Sequence, residues 1–287
     1  MGRNKQHINT NPNGGNFFEK VEIPFQKSKE EVWASLSAKI EEKPEPGVIN
    51  LFGFRPLVAV AASILLLAAV FSVMRFYTKS INCPYGQHLA ISLPDRSSVE
   101  LNAESTLKYH PLWWWASRDV RFEGEGFFQV QKGSAFTVHS AMGQTRVMGT
   151  SFNIYSRDKQ YRVTCFTGKV QVTSQTNERV ILSPSYTALV DPRGRITVKK
   201  ENQPKITASW RKNMFNFTAT PLSDVMKEVE RQYGVSIRIE KPYEELFYTG
   251  FFSKDKTVEE VLSIICKPFG ITYVKNTDGS YTLISNQ

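Results

Sequence analysis

Three consecutive tryptophans, Trp113-Trp114-Trp115, form the most chemically suggestive run in the chain. Exposed in a row, such rings can stack on sugars, sit at a membrane interface or hold a protein partner, since each is an apolar plate with a polar tip. Alternation along a strand would instead bury at least one, so packing between strands is the competing reading. The titratable residues offer less. His7, His88, His110 and His139 lack metal-ligand spacing. Asp95, Glu100, Glu104, Glu123 and Glu125 could be paired as acid and base, but turn and solvent-face roles fit them better. The Gly-Glu-Gly of FEGEGFF is too short for a phosphate loop and no helix follows it. No Gly-x-Ser-x-Gly or Ser/His/Asp grouping is visible. Cys83, Cys165 and Cys266 are widely separated without a CxxC pair, so neither a zinc site nor a redox motif is indicated. Cys266 lies in an apolar stripe that marks it as core. These residues point to binding, with no enzyme, cofactor or metal among the expectations.

The elements around them are short strands. From about Tyr85 to Lys200, LAISL, SVEL, TLKY, DVRF, FFQVQ, FTVHS, TRVMG, FNIYS, YRVTCF, KVQVTS, RVIL and RITVKK are rich in β-branched and aromatic residues. Pro94-Asp95, Gly124, Gly126, Gly133, Gly143, Gly149, Gly168 and Pro192-Arg193-Gly194 punctuate them. That rhythm predicts an all-β sandwich, barrel or solenoid. Pro94-Asp95 suits a turn, Gly124 and Gly126 a bulge or close approach, and Gly149 a positive φ.

From Met214 the rhythm becomes strand, helix, strand. Thr220 is expected to cap a helix beginning at Pro221, with Leu222, Val225, Met226 and Val229 as its apolar stripe and Gly234 as its stop. The theme repeats with Thr257 as cap, then Val258, Val261, Leu262 and Ile265, closed by Gly270. Residues 214–287 therefore read as a small α+β domain with two helices on one sheet. Its strand YTGFF is an attractive edge for strand addition, with Tyr248, Phe251 and Phe252 as docking side chains. The competing reading fills the domain's own sheet with them.

The segment from Arg55 to Arg75 carries no charge between its two arginines. As a helix, Pro56 to Met74 would span about 28 Å, close to the ~30 Å hydrocarbon core of a bilayer. It lies too far into the chain for a signal peptide and lacks a small-residue cleavage pattern. Residues 55–75 are thus expected to be a single transmembrane helix. Lys39, Lys43 and Arg55 on one flank against Arg75 and Lys79 on the other lean toward a cytoplasmic N-terminal tail. In that tail, 1–54, residues 1–16 read as disordered. Ser28 and Glu31 form a capping box, and Val32, Trp33, Leu36 and Ile40 follow at helical spacing to predict a helix over about 28–42, ended by Pro44, Pro46 and Gly47. Its stripe wants a partner, either another protein, with Trp33, Leu36 and Ile40 as the contacts, or the lipid surface, unless it simply leads into the span.

The 287 residues carry a formal net charge of +9 and are 41% hydrophobic and 12% aromatic. The charge is spread thinly over the long C-terminal part, and no groove-reading motif accompanies it, so direct nucleic-acid binding is not expected.

Several phrases of the β part, in order and spacing, resemble the FecR family of single-pass membrane regulators. They are LPDRSSVELNAESTLKY (Leu93–Tyr109), RFEGEGFFQV (Arg121–Val130), FTVHS (Phe136–Ser140), VMGTSFNIY (Val147–Tyr155) and TGKVQV (Thr167–Val172). Phe215 to Ile284 is similar to the small domain that often follows, which resembles the secretin and TonB short N-terminal signalling fold. The resemblance implies a single-pass membrane protein with a sandwich- or solenoid-like FecR domain over 84–200 outside the cytoplasm. It further implies an inner-membrane location, with the C-terminal domains in the periplasm sensing the signalling domain of a TonB-dependent outer-membrane transporter. The output would be control of transcription through a cytoplasmic extracytoplasmic-function sigma factor, a form of cell-surface signalling by a regulator of anti-sigma type. Trp113 and Trp114 join the exterior candidates for partner contact. Where fuller members carry several helices before the span, this tail offers one, and Arg96 replaces the glycine of the usual LPDGS turn. The alternative reading is a membrane-anchored periplasmic binding or scaffold protein without a sigma partner.

Overall fold

The computed structural model describes residues 27–41, 55–239 and 245–285. The expectations for residues 1–16 and for Pro44, Pro46 and Gly47 lie outside them. The chain divides into two compact units, Met1–Ser63 and Ile64–Gln287. In the first, helix α1 (Lys29–Glu41) begins at the expected capping box. The Glu31 amide donates to Ser28 Oγ at 3.2 Å, and the Ser28 amide donates back to Glu31 Oε2 at 3.3 Å. Helix α2 (Arg55–Phe76) contains Pro56–Phe76, a stretch long and apolar enough to cross a membrane. Its leucines, valines and isoleucine stay exposed. Each such side chain left in water forgoes roughly 1.5–3 kcal/mol of burial.

The second unit begins within α2, and after that helix come thirteen strands joined through one long strand. The first four are β1 (Lys79–Cys83), β2 (Leu89–Ser92), β3 (Ser98–Leu101) and β4 (Ser105–Tyr109). The long strand is β5 (Arg118–Gln129). β6 (Phe136–Ser140), β7 (Gly143–Val147), β8 (Ser151–Arg157) and β9 (Gln160–Thr167) follow. β10 (Val170–Ser174), β11 (Arg179–Leu182), β12 (Tyr186–Val190) and β13 (Ile196–Lys200) complete the set. The first half of β5 pairs with β4 and β6, and its second half with β3 and β8. Two ladders result, β1-β4-β5-β6-β7-β10-β11 and β2-β3-β5-β8-β9-β12-β13. Leu107, Val120, Val138 and Val172 of one and Val99, Phe128, Phe152 and Val163 of the other fill a single core.

β5 changes ladder at Gly124, where φ is +115° and an added Cβ would lie 2.3 Å from Ser105 Oγ. The sequence had suggested two strands, DVRF and FFQVQ, separated by these glycines. They are one, because Gly124 lets the strand bend without ending. Gly149 has the expected positive φ, at +136°. Two strands escaped the sequence reading, β1 and β12.

A 3-10 segment, Pro204–Lys212, leads to the second domain. It comprises β14 (Met214–Pro221), α3 (Leu222–Tyr233), β15 (Ile237–Ile239), β16 (Phe247–Ser253), α4 (Val258–Cys266), β17 (Ile271–Lys275) and β18 (Tyr281–Ser285). The expected single sheet is two: β14 pairs with β16, and β15-β18-β17 form a separate trio. Both helices pack into one core with them through Leu222, Val225, Val229, Val261, Leu262 and Ile265. Thr220 does not cap α3; Pro221 occupies the cap position and supplies no side-chain bond. Thr257 does cap α4, in a full capping box with Glu260. Gly234 ends α3 in the left-handed region as the expected stop, whereas α4 ends at Cys266 and Gly270 closes the 3-10 turn Lys267–Phe269 that follows it. All three cysteines are free and buried, Cys266 within the core of this domain.

Candidate functional site

The stripe on α1 is available for contact. Trp33 is 72% exposed and Ile40 71%, with Leu36 also exposed. Ser35 and Ser37 turn their hydroxyls back onto the helix, donating to the carbonyls of Val32 and Trp33 at 2.9 Å each. The apolar positions i, i+3 and i+7 stay open.

The tryptophan run divides by burial. Trp114 lies buried beneath the turn, its ring 5.6 Å from Tyr109 and 5.9 Å from Phe136. It serves the core of the β domain, which corrects its candidacy as a partner contact. Trp113 is half-buried and Trp115 exposed. The YTGFF strand divides the same way. Tyr248 and Phe252 are buried against Phe217 and Phe215, so they pack the domain's own core and are not docking side chains. Phe251 and Phe247, on the opposite face of β16, are exposed. Among the described residues β16 pairs only with β14, leaving its other edge open.

The most elaborate constellation joins the two domains of the second unit, and sequence reasoning missed it. Helix α3 presents Arg231 and Gln232 to the β domain. The buried Arg231 guanidinium meets Glu104 Oε2 at 2.9 Å and Asp158 Oδ2 at 2.6 Å across the junction, and Glu228 Oε2 of its own helix at 3.4 Å. Gly86 donates its amide to the Arg231 carbonyl at 2.8 Å. Lys254 donates to the Gly86 carbonyl at 3.0 Å. Gln232 Nε2 donates to Asn102 Oδ1 at 2.7 Å, and its Oε1 lies 3.2 Å from His88 Nε2. Asn102 and Asn153 in turn donate to the two oxygens of Glu125, at 2.8 and 3.0 Å. Trp210, from the 3-10 segment, donates its ring N–H to Asn153 Oδ1 at 3.3 Å.

Burial sets the electrostatics here. Glu125 is held above the usual carboxylate range by burial and then by the nearby Glu228 charge, with Arg157 opposing. Burial, followed by the Lys254 charge, pushes His88 below the usual imidazole range. Tyr155 is pushed up to about 12 by burial and by Glu228. A cavity of about 500 Å³ opens beside the network, with Glu125, Tyr155, Arg162, Glu228 and Lys254 in its wall. Its mixed charges favour no single ligand class. No group of three His, Cys, Asp or Glu suited to a metal ion occurs among the described residues. The arrangement suits mechanical coupling: a charged, hydrogen-bonded contact that fixes one domain on the other. The only signal in sequence was a pair of polar residues, Arg231-Gln232, in the last turn of a helix whose apolar stripe was already accounted for.

The comparisons with known proteins converge on this architecture. The family model described as FecR protein matches residues 79–171, and that described as FecR, C-terminal, matches 214–283. Two crystal structures of a "putative anti-sigma factor" from Parabacteroides distasonis ATCC 8503, at 2.50 and 1.65 Å, are similar to the chain. Each is 28% identical with a TM-score of 0.67 and is covered over 100% of its length, by 74% and 73% of this chain respectively. No curated protein matches.

Proposed function

The chain belongs to the FecR family, and we propose from that membership that it is a single-pass regulator acting on a sigma factor. The likeness to a protein described as an anti-sigma factor supports the regulatory role. In its finer form, the tail 1–54 lies in the cytoplasm and holds an extracytoplasmic-function sigma factor through α1. Residues 55–75 cross the inner membrane. The FecR domain, 84–200, and the signalling-like domain, 214–287, stand in the periplasm and receive the signalling domain of a TonB-dependent outer-membrane transporter. The exposed face of Phe251 is the remaining exterior candidate for that contact.

The observation that carries this reading is the uncovered stripe of Trp33, Leu36 and Ile40 on α1. An isolated helix of this length is marginal in water. A groove on a partner would order it and bury Trp33 as an anchor, in the helix-in-groove mode read as i, i+3 and i+7 contacts. The test is co-purification of the full chain, in mild detergent, with candidate sigma factors. Trp33→Ala with Leu36→Ala should weaken capture at least tenfold, since a central anchor is worth about 2 kcal/mol or more. Absence of binding by the unaltered chain would leave the envelope scaffold as the better reading. Reporter fusions after residue 50 and at the C-terminus test the topology, and a cytoplasmic C-terminus would overturn it.

A further inference from the structure

We propose that the turn at residues 111–115 seats the FecR domain on the interfacial layer of the same bilayer that α2 crosses. The inference rests on α2 being a span and goes beyond it by assigning a membrane contact to the β domain. Trp113 packs edge-on against Phe71 of α2 with ring centroids 5.1 Å apart, and the Arg75 guanidinium lies 5.6 Å from the Trp113 ring centre. Phe71 precedes the helix end at Phe76 by about 7.5 Å along the axis, at 1.5 Å per residue. A helix of 21 residues, Pro56–Phe76, fills roughly the ~30 Å hydrocarbon core, and the headgroup layer outside it is about 5–8 Å deep. With Phe71 about 7.5 Å inside the edge of that core and Trp113 5.1 Å from it, the Trp113 ring lies at least about 2 Å inside the hydrocarbon, next to the headgroup layer.

Its neighbours are uncovered at the same level. Trp115, 5.3 Å from Trp113, is 75% exposed, and Leu112 and Tyr77 are also exposed. Tryptophan and tyrosine concentrate at this layer because one end of each ring is apolar and the other wet. Arg75 and Lys79 beside them can extend their charges toward lipid phosphates.

The turn is built to hold this pose. Trp114 anchors it from within the core. The Trp113 carbonyl accepts from the amides of Ala116 and Ser117 at 3.0 and 3.2 Å. His110 Nδ1, taken as protonated, donates to the Tyr77 carbonyl at 3.1 Å, which ties the turn to the residue that follows α2. A sugar or protein partner could also use exposed indoles, but neither would require them beside the end of an apolar helix.

Depth measurement by spin labels tests this on the full chain in nanodiscs of phosphatidylcholine and phosphatidylglycerol. The native thiols are buried, so labels report introduced cysteines. Trp115→Cys and, as a variant retaining all three tryptophans, Leu112→Cys probe the turn. Ile181→Cys, on exposed β11 at the far end of the ladder from β1, is the aqueous reference. Leu66→Cys probes the span. Labels at 112 and 115 should favour oxygen over a water-soluble nickel reagent several-fold more than the label at 181. If they match 181 while the label at 66 reads hydrocarbon, the span stands and the seating is refuted. If they are shielded from both reagents, the turn is covered by protein and the proposal fails. An aqueous label at 66 would overturn the span itself, and the seating with it.

Discussion

Replacing Arg231 by methionine should loosen the junction between the two domains while leaving each domain folded. The magnitude follows from what the guanidinium touches. Glu104 and Asp158 are 43% and 31% exposed in their side chains, so water screens them and each pair is worth at most about 1 kcal/mol. Glu228 is only 17% exposed, and breaking a buried pair costs about 3–5 kcal/mol when a charge is left alone. Glu228 is not left alone: Gln232 Nε2 donates to it at 2.8 Å and Arg157 Nη1 lies 4.0 Å away. Methionine keeps much of the packing and removes the cost of burying the guanidinium. The net loss should be about 2 kcal/mol, which raises the open population of the junction roughly thirtyfold. Hydrogen exchange reads this directly. The Gly86 amide donates to the Arg231 carbonyl and is protected only while the domains are docked. Its peptide should exchange roughly thirtyfold faster in Arg231→Met, with β8 unchanged. Arg238→Met, which removes a pair at 3.7 Å whose members are 69% and 57% exposed, should change nothing. Unchanged exchange at Gly86 in Arg231→Met would refute the latch. Equal acceleration in β8 would show instead that the two domains open as one cooperative body.

Other substitutions probe other levels of the structure. Gly124→Ala should cost about 3 kcal/mol or prevent folding, since it combines a positive φ with a clash against Ser105 backbone and side chain. Gly270→Ala, at φ +63° with nothing within 4 Å, should cost only about 1 kcal/mol; thermal unfolding of the two variants gives the comparison. Thr257→Ala removes one half of the α4 capping box and should lower stability by about 1 kcal/mol, measured by denaturant titration. The junction also has a pH signature. His88 is depressed in the folded state, so below its ordinary value of 6.5 the unfolded chain takes up the proton first and stability falls with falling pH. Glu125 is raised, so above its ordinary 4.5 the unfolded chain loses the proton first and stability falls with rising pH. Between these values the two slopes oppose, and His88→Gln should expose the Glu125 slope alone. Denaturation midpoints at pH 5 and 6.5 would refute this if the variant became more stable as the pH rose.

Much of the fold could be read from residue order because burial in it is periodic. Alternation marked most of the strands, and the 3.6-residue stripes of Val225, Met226 and Val229 and of Val261, Leu262 and Ile265 marked both helices of the C-terminal domain. The capping signal succeeded where a side chain makes the bond, at Ser28 and Thr257, and failed at Thr220, where the cap position falls one residue later on Pro221 and α3 begins at Leu222. The splitting of β5 failed for a related reason. A glycine pair looks the same in sequence whether the chain stops there or bends through it. What sequence hides most is the use of a polar residue on a helix already satisfied by its stripe. Arg231 and Gln232 look like an ordinary solvent face, and only the approach of Glu104, Asp158 and Asn102, more than seventy residues away in the chain, converts them into a buried contact. Aromatic residues mislead in the opposite direction. Tyr248, Phe251 and Phe252 stand within five positions, yet the pleat sends two inward and one out. Composition names a sticky strand, and only register decides which of its faces a partner can reach. The residues that join the two domains are therefore the ones pattern finds last.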